Sequence, residues 1–339
     1  MLGASFISTI IGTKLPGDGA LWFSQNFEFI LPIRVGDTIS IYAEVVSKDE
    51  RNKVIELKTV IKNQYGQKVT KGFAKVKIAE QEEILITKTT DKSIIKTALV
   101  IGGSGGIGSA VSLALAEEGF KVAIHYHKNK VTAKNLTEKI EIQGGKAYSY
   151  SCDITDYMSV SEMIESIRRR FGVISVLVNC STLNTTPMNF SELNWKSFES
   201  HLNNQILGAY NLVRAVLPNM ENAGYGKIIH LDSKVVDQPY LNLLPYTTAK
   251  GALRAFSKAL AYDLAPKGIC VNMVSPGITE TELIANLSDR TLLVEAAKTP
   301  LKRLAKPKDV ANAVVFLSSE KSDYLCGEII RVNGGQLMM

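Results

Sequence analysis

The sequence predicts an α/β protein, a doubly wound parallel sheet preceded by a smaller α+β part that mixes one helix with an antiparallel sheet. Three observations predict it. From Lys96 onward, short apolar stretches alternate with helical ones, as a parallel sheet with crossover helices requires. The run Ile101-Gly-Gly-Ser-Gly-Gly-Ile-Gly108 joins the first of those stretches to a helix. Before residue 90 the chain reads instead as β-branched and aromatic strands separated by turn residues. The expected divisions are residues 1–80, a polar linker over 81–93, and 94–339.

In the first part, an apolar helical segment from Ala4 to Leu15 and a turn at Pro16-Gly-Asp-Gly19 lead into strands over Ala20–Leu31, Thr38–Val46, Val54–Asn63 and Lys68–Ile78. Gly36-Asp37 and Tyr65-Gly66 are turns between them. In the second part, strands are expected at Thr97–Ile101, Lys121–His125, Val176–Asn179, Lys227–Leu231 and Cys270–Val274, with a helix leaving the glycine run at Ser109.

The 339 residues are 45% hydrophobic and 21% charged, an ordinary balance for globular cores. The apolar runs stop short of the about 20 residues a membrane span needs, and no signal peptide opens the chain, so no membrane association and a cytoplasmic location are expected. Cys152, Cys180, Cys270 and Cys326 are far apart with no Cys-x-x-Cys pair, which argues against a zinc site or a disulfide framework, and no metal is expected. The net charge of +6 is scattered, with no basic block, so no nucleic-acid partner is expected.

Tyr246 and Lys250 are four apart and share one helix face, and Ser233 precedes the tyrosine by 13 residues. An ammonium beside a phenol favours the phenolate and lowers the phenol's pKa. A serine hydroxyl on the same substrate oxygen adds a hydrogen bond where charge develops. That combination suits carbonyl/alcohol redox chemistry.

From Thr97 to Gly335, with these motifs in this order, the chain resembles the short-chain dehydrogenase/reductase family, and within it the 3-oxoacyl-thioester reductases. The resemblance implies a Rossmann fold and a nicotinamide cofactor. It places Ser233, Tyr246 and Lys250 in catalysis, and puts Gly102, Ser104, Gly106, Ile107 and Gly108 on the pyrophosphate. Asp153 falls at the adenine, Asn179 on the adenosine side, and Pro276, Gly277, Ile278 and Thr281 at the nicotinamide. The family's water-holding asparagine falls at Gln205, with Asn204 beside it; the longer amide still offers a carbonyl to that water. Two other positions depart from the family: Ile101 opens the glycine run, and Asn179-Cys-Ser-Thr182 replaces Asn-Asn-Ala-Gly. At the end of the second strand His125 stands where an NAD-preferring site carries a carboxylate. With His127 or Lys128 meeting a 2′-phosphate, NADP(H) is expected in preference to NAD(H).

The first part, with Phe29-Ile-Leu-Pro-Ile-Arg-Val-Gly-Asp37, resembles the later two-thirds of a MaoC-like hot-dog (R)-specific enoyl-thioester hydratase. In that family an aspartate and a histidine act from a segment that would precede Met1. The four histidines, His125, His127, His201 and His230, all lie in the second part, so no hydration is expected. The reading is therefore NADPH-dependent reduction of a 3-oxoacyl thioester of coenzyme A or acyl carrier protein, by a homo-oligomer, dimer or tetramer. Two alternatives stand beside it: another alcohol or ketone substrate, and a catalytically weak scaffold subunit. The resemblance puts a carrier-docking arginine pair near Gly224 and Lys267, where only one charge remains. Val235, Val236, Tyr240 and Leu243 are candidates to line an acyl pocket.

Overall fold

In the computed structural model, residues 7, 9–11, 13–15, 20–50, 52–78, 96–285 and 287–338 are described. The expected turn at Pro16–Gly19 and the expected linker at 81–93 lie outside the described residues. The chain divides into two compact units, Met1–Asp91 and Lys92–Met339.

Period-two patterning builds the first unit. Its strands are β1 (Ala20–Gln25), β2 (Glu28–Phe29), β3 (Ser40–Asp49), β4 (Val54–Lys62) and β5 (Lys68–Ile78). They form an antiparallel sheet in the order β1-β5-β4-β3, with β2 also on β5. Ile55, Leu57 and Ile61 of β4 and Ala74 and Val76 of β5 bury one face, because alternate residues of a strand point the same way. Ile7 and Ile11, four apart in a helical segment, cluster with them.

Two expectations for this unit are corrected. The single strand over Ala20–Leu31 is interrupted at Asn26, whose Oδ1 accepts from the Phe73 amide at 2.6 Å. A Cβ at Gly72 would lie 2.0 Å from the Asn26 carbonyl oxygen, so this crossing needs glycine. β3 starts and ends later than Thr38–Val46 because Asp37 is spent on the turn: it accepts from the Arg34 amide at 2.7 Å and from Gln64 Nε2 at 2.9 Å. Those bonds hold the Asp37 carboxyl below its ordinary pKa.

The second unit is a seven-stranded parallel sheet in the order β12-β11-β10-β9-β6-β7-β8. Its strands are β6 (Thr97–Ile101), β7 (Lys121–Tyr126), β8 (Lys146–Ser151), β9 (Val176–Asn179), β10 (Gly226–Leu231), β11 (Ile269–Pro276) and β12 (Ile329–Val332). β6 and β9 are buried at every position, as strands covered on both faces must be. The two edge strands, β8 and β12, are absent from the strands read off the sequence. Lys146-Ala-Tyr-Ser-Tyr-Ser buries only Ala147 and Tyr150, and β12, Ile-Ile-Arg-Val, is short, half-buried and interrupted by Arg331.

The helices are α1 (Gly106–Glu117), α2 (Lys130–Ile142), α3 (Tyr157–Phe171), α4 (Trp195–Leu202), α5 (Gly208–Ala223), α6 (Leu244–Leu264), α7 (Asp289–Lys298) and α8 (Pro307–Ser318). Val111 and Leu115 of α1 and Val310, Val314 and Leu317 of α8 belong to one apolar cluster. Val160, Ile164 and Ile167 of α3 and Leu212 and Val216 of α5 belong to another. Each such side chain contributes about 1.5–3 kcal/mol by its burial. β6 lies between β9 and β7, so the strand order reverses there, and a crevice opens beyond the carboxyl ends of the strands.

Candidate active site

A cleft of about 890 Å³ occupies that crevice. Its walls come from the loops after four strands: Gly102–Gly108 after β6, His127–Asn129 after β7, Asp153–Thr155 after β8 and Cys180–Asn184 after β9. Gly102 is left-handed, with φ +66°, and a Cβ on Gly108 would lie 2.1 Å from the Gly102 carbonyl oxygen. The loop therefore folds against the start of α1, which begins at Gly106 rather than Ser109. The first turn of α1 carries no acidic residue. Tight glycine backbone with open helix amides fits a pyrophosphate, so the residues present fit a dinucleotide.

The wall residues differ in how they are held. Asp153 Oδ1 accepts from the Thr155 amide at 2.9 Å and hydroxyl at 2.7 Å, and these bonds keep its carboxyl below the ordinary range. His125 reaches the cleft, yet both its ring nitrogens are engaged. The Gly102 amide donates to Nδ1 at 3.1 Å, and Nε2 sits 3.0 Å from the Cys152 carbonyl. That pairing makes Nε2 the protonated nitrogen, and burial pushes the imidazole down to about 4. His125 is thus a neutral strut between the glycine loop and the end of β8, and it borders the cleft where the cofactor is expected. Asn179 is likewise turned away: its Oδ1 accepts from the Ser181 amide and hydroxyl, and it shapes the loop from behind. Thr281 lines the cleft, whereas Gly277 and Ile278 line a separate cavity of about 160 Å³, and Pro276 ends β11.

Ser233, Tyr246 and Lys250 converge from the end of β10 and from α6, which starts with proline in its first turn. They stand behind the cleft wall and join it through Thr182, whose side chain, like that of Ser233, interacts with the Tyr246 phenol. Lys250 Nζ donates to the Leu231 carbonyl at 2.7 Å and to Gln205 Oε1 at 2.9 Å. Gln205 Nε2 donates in turn to the Ser181 carbonyl at 3.0 Å and to Asn204 Oδ1 at 2.9 Å. The amide therefore takes the lysine directly, where a water-holding carbonyl was expected. It can do so because Asn203–Leu207, between α4 and α5, forms a π-helical turn; such turns concentrate at functional sites.

The electrostatics reverse one expectation. Burial raises the Tyr246 phenol, and the interactions with Ser233 and Thr182 only oppose that rise. Lys250, 6.0 Å from the ring centroid, is itself pushed down to about 8 by burial, with Asp232 and Cys180 acting the other way. Desolvation, with the Asp232 charge acting in the same direction, outweighs the Ser233 and Thr182 interactions, so the site favours a protonated phenol. The Cys180 thiol is pushed up to about 12 by burial.

Sequence reasoning missed three participants. His201 of α4 stands edge-on to the Tyr246 ring at 6.2 Å between centroids, is buried, and is held below its ordinary pKa by burial and then by Lys250. Asp232 and Arg254 form a buried ion pair beside the serine. The spacing of Arg254, four residues after Lys250, was the available signal.

A family profile described as enoyl-(acyl carrier protein) reductase matches residues 102–336. The 3-oxoacyl-(acyl-carrier-protein) reductase of Staphylococcus epidermidis is 34% identical over 245 residues, covering 72% of this chain and 99% of that protein. The chain belongs to the short-chain dehydrogenase/reductase family. It is an oxidoreductase of the kind that acts on CH–OH groups. The acetoacetyl-CoA reductase of Allochromatium vinosum is 30% identical over 244 residues, 72% of this chain and 99% of that protein. A structure from Agrobacterium tumefaciens, provisionally described as a gluconate dehydrogenase, superposes with a TM-score of 0.69 at 28% identity, covering 72% of this chain and 96% of its own. Short-chain dehydrogenases/reductases use NAD(P)(H), in keeping with the cleft. Among the described residues no helix is long and apolar enough to cross a membrane, and no group of three or more His, Cys, Asp or Glu is placed to hold a metal.

Proposed function

We propose that the chain reduces a 3-oxoacyl thioester to the 3-hydroxyacyl thioester with NADPH. The observation that carries this reading is the convergence of Ser233, Tyr246 and Lys250 behind a dinucleotide-shaped cleft, in a chain 34% identical to a 3-oxoacyl-(acyl-carrier-protein) reductase. When bound, the nicotinamide supplies a hydride to the ketone carbon. Tyr246, kept protonated by its burial, donates its proton to the ketone oxygen, and Ser233 donates a hydrogen bond to the same oxygen. Lys250 stabilises the phenolate left behind, held in place by Gln205 and Leu231. Gly102, Ser104, Gly106, Ile107 and Gly108 would hold the pyrophosphate, Asp153 the adenine side and Thr281 the nicotinamide side. His127 and Lys128, with Asn129 and Thr132 beside them on the cleft wall, would meet a 2′-phosphate, which favours NADPH over NADH.

The first unit, an antiparallel sheet with one helical segment on its buried face, is read as a partial hot-dog unit that supplies an association surface rather than hydratase chemistry. A homo-oligomer follows from that reading. Lys267 is ion-paired with Glu221 at 2.6 Å and Gly224 is a left-handed helix cap, so neither position offers a free arginine-like fork to a carrier. Steady-state assays with acetoacetyl-CoA and an acetoacetyl carrier protein, each with NADPH and NADH, test the reading. NADPH-dependent turnover of either thioester is expected. Turnover of simple ketones or sugar alcohols in preference to both thioesters would replace it.

A further inference from the structure

Three consecutive positions, the last of β10 and the two after it, meet three successive turns of α6. The Leu231 carbonyl accepts from Lys250, Ser233 engages Tyr246, and between them Asp232 Oδ2 accepts from Arg254 Nε at 3.0 Å and from a terminal guanidinium nitrogen at 2.6 Å. Tyr246, Lys250 and Arg254 are spaced four apart and leave α6 on one face. On its far side Arg254 also reaches Asp237, which is tied in turn to Arg331 of β12 at 3.2 Å.

Asp232 is 4% exposed, and both arginine bonds land on one of its oxygens. Its Oδ1 has no hydrogen-bond partner among the described residues. A buried carboxylate with one bare oxygen is costly, because the charge is neither solvated nor fully paired. The same lack of screening lets its field act on neighbours at short range. A negative charge here opposes a second one on the phenol and supports a positive one on the lysine.

We propose that Asp232 is a positioning residue for the reduction, fixing α6 against β10 through Arg254 and holding the Tyr246 phenol as the proton donor through its own charge. The proposal rests on the reductase reading. The other groups facing the phenol are Lys250 on α6, His201 on α4, Ser233 after β10 and Thr182 after β9, with Cys180 near the lysine. Asp232 raises both the Tyr246 and the Lys250 pKa, so loss of its charge moves both in one direction.

The test uses the full chain with Asp232→Asn, which keeps the shape and removes the charge, and Asp237→Asn, which loosens the same arginine from its far side. In Asp232→Asn the alkaline limb of the kcat/KM profile for reduction should move to lower pH, with turnover down about tenfold. In Asp237→Asn the limb should stay in place. An unmoved limb in Asp232→Asn, or equal movement in both variants, overturns the assignment. An ultraviolet difference titration of each variant against its Tyr246→Phe counterpart reads the phenol without substrate. It therefore tests the role of Asp232 even if no thioester is turned over, an outcome that would sink the reductase reading alone. Should Asp232→Asn fail to fold, Arg254→Lys keeps the charge but loses the fork. Its phenol must titrate as in the wild type, and a shift there also overturns the proposal.

Discussion

The two units of this chain spend their unusual residues in opposite places. In the first, the described buried polar side chains are only Thr59 and Thr70, while Leu21, Trp22, Phe23, Phe29, Ile30, Leu31, Ile33 and Val35 are exposed within fifteen residues of one another. In the second, the buried polar set includes His125, which lines the cleft, and His201, Gln205, Asp232 and Lys250. Desolvated titratable groups are expensive and persist where chemistry needs them. Exposed apolar stretches persist where something covers them. This contrast supports catalysis by the second unit and assigns the proposed association to the first.

Tyr246→Phe puts the heaviest strain on that division. Removing only the proton donor should lower turnover by about 10²–10⁴-fold while cofactor binding, read by NADPH fluorescence, stays near wild type. More than a tenth of the activity surviving would move the chemistry elsewhere. Gln205→Leu comes next: it strips Lys250 of one of its two protein acceptors, and a fall in kcat of about 10–100-fold is expected. His125→Leu probes the cofactor side. It frees the Gly102 amide and the Cys152 carbonyl, so KM for NADPH should rise about tenfold with kcat little changed.

A smaller effect follows from Lys250. Its folded pKa of about 8 lies below its ordinary 10.5, so the unfolded chain binds the extra proton between those values and stability rises with pH across that window. Turnover should run the other way, declining as pH passes about 8 and the ammonium is lost. Parallel thermal melts and rate profiles separate the two trends. At the lower limit, the full chain should show no hydration of a crotonyl thioester. Hydration that persists in Tyr246→Phe would place an unseen catalytic site in the first unit.

Much of the second unit was legible because its strands are continuous apolar runs and its glycine loop sits between one of them and a helix. Ser233, Tyr246 and Lys250 were marked by their spacing only in combination with the glycine loop upstream. The fate of His125 was not, because a histidine at a strand end reads equally as a ligand or a strut until the Gly102 amide is seen beside it. The phenol's direction also escaped. A one-dimensional pattern shows which charge neighbours Tyr246, but not that desolvation outweighs the groups around both. β8 was lost because Tyr148 and Tyr150 stand among serines and lysine, with no apolar run to mark an edge strand.

The π-helical turn at Asn203–Leu207 is in effect one residue too many in an otherwise continuous helical path from α4 to α5. Each residue of an α-helix advances the face by about 100°. Deleting one residue from this turn would rewind α4 by about that angle relative to α5, swinging His201 off the Tyr246 ring and Gln205 off Lys250. No substitution in the turn rotates a whole helix in this way. The geometry of the site is in this sense kept by a count rather than by a side chain: the number of residues from Trp195 to Gly208 has to stay fixed even where their identities can drift.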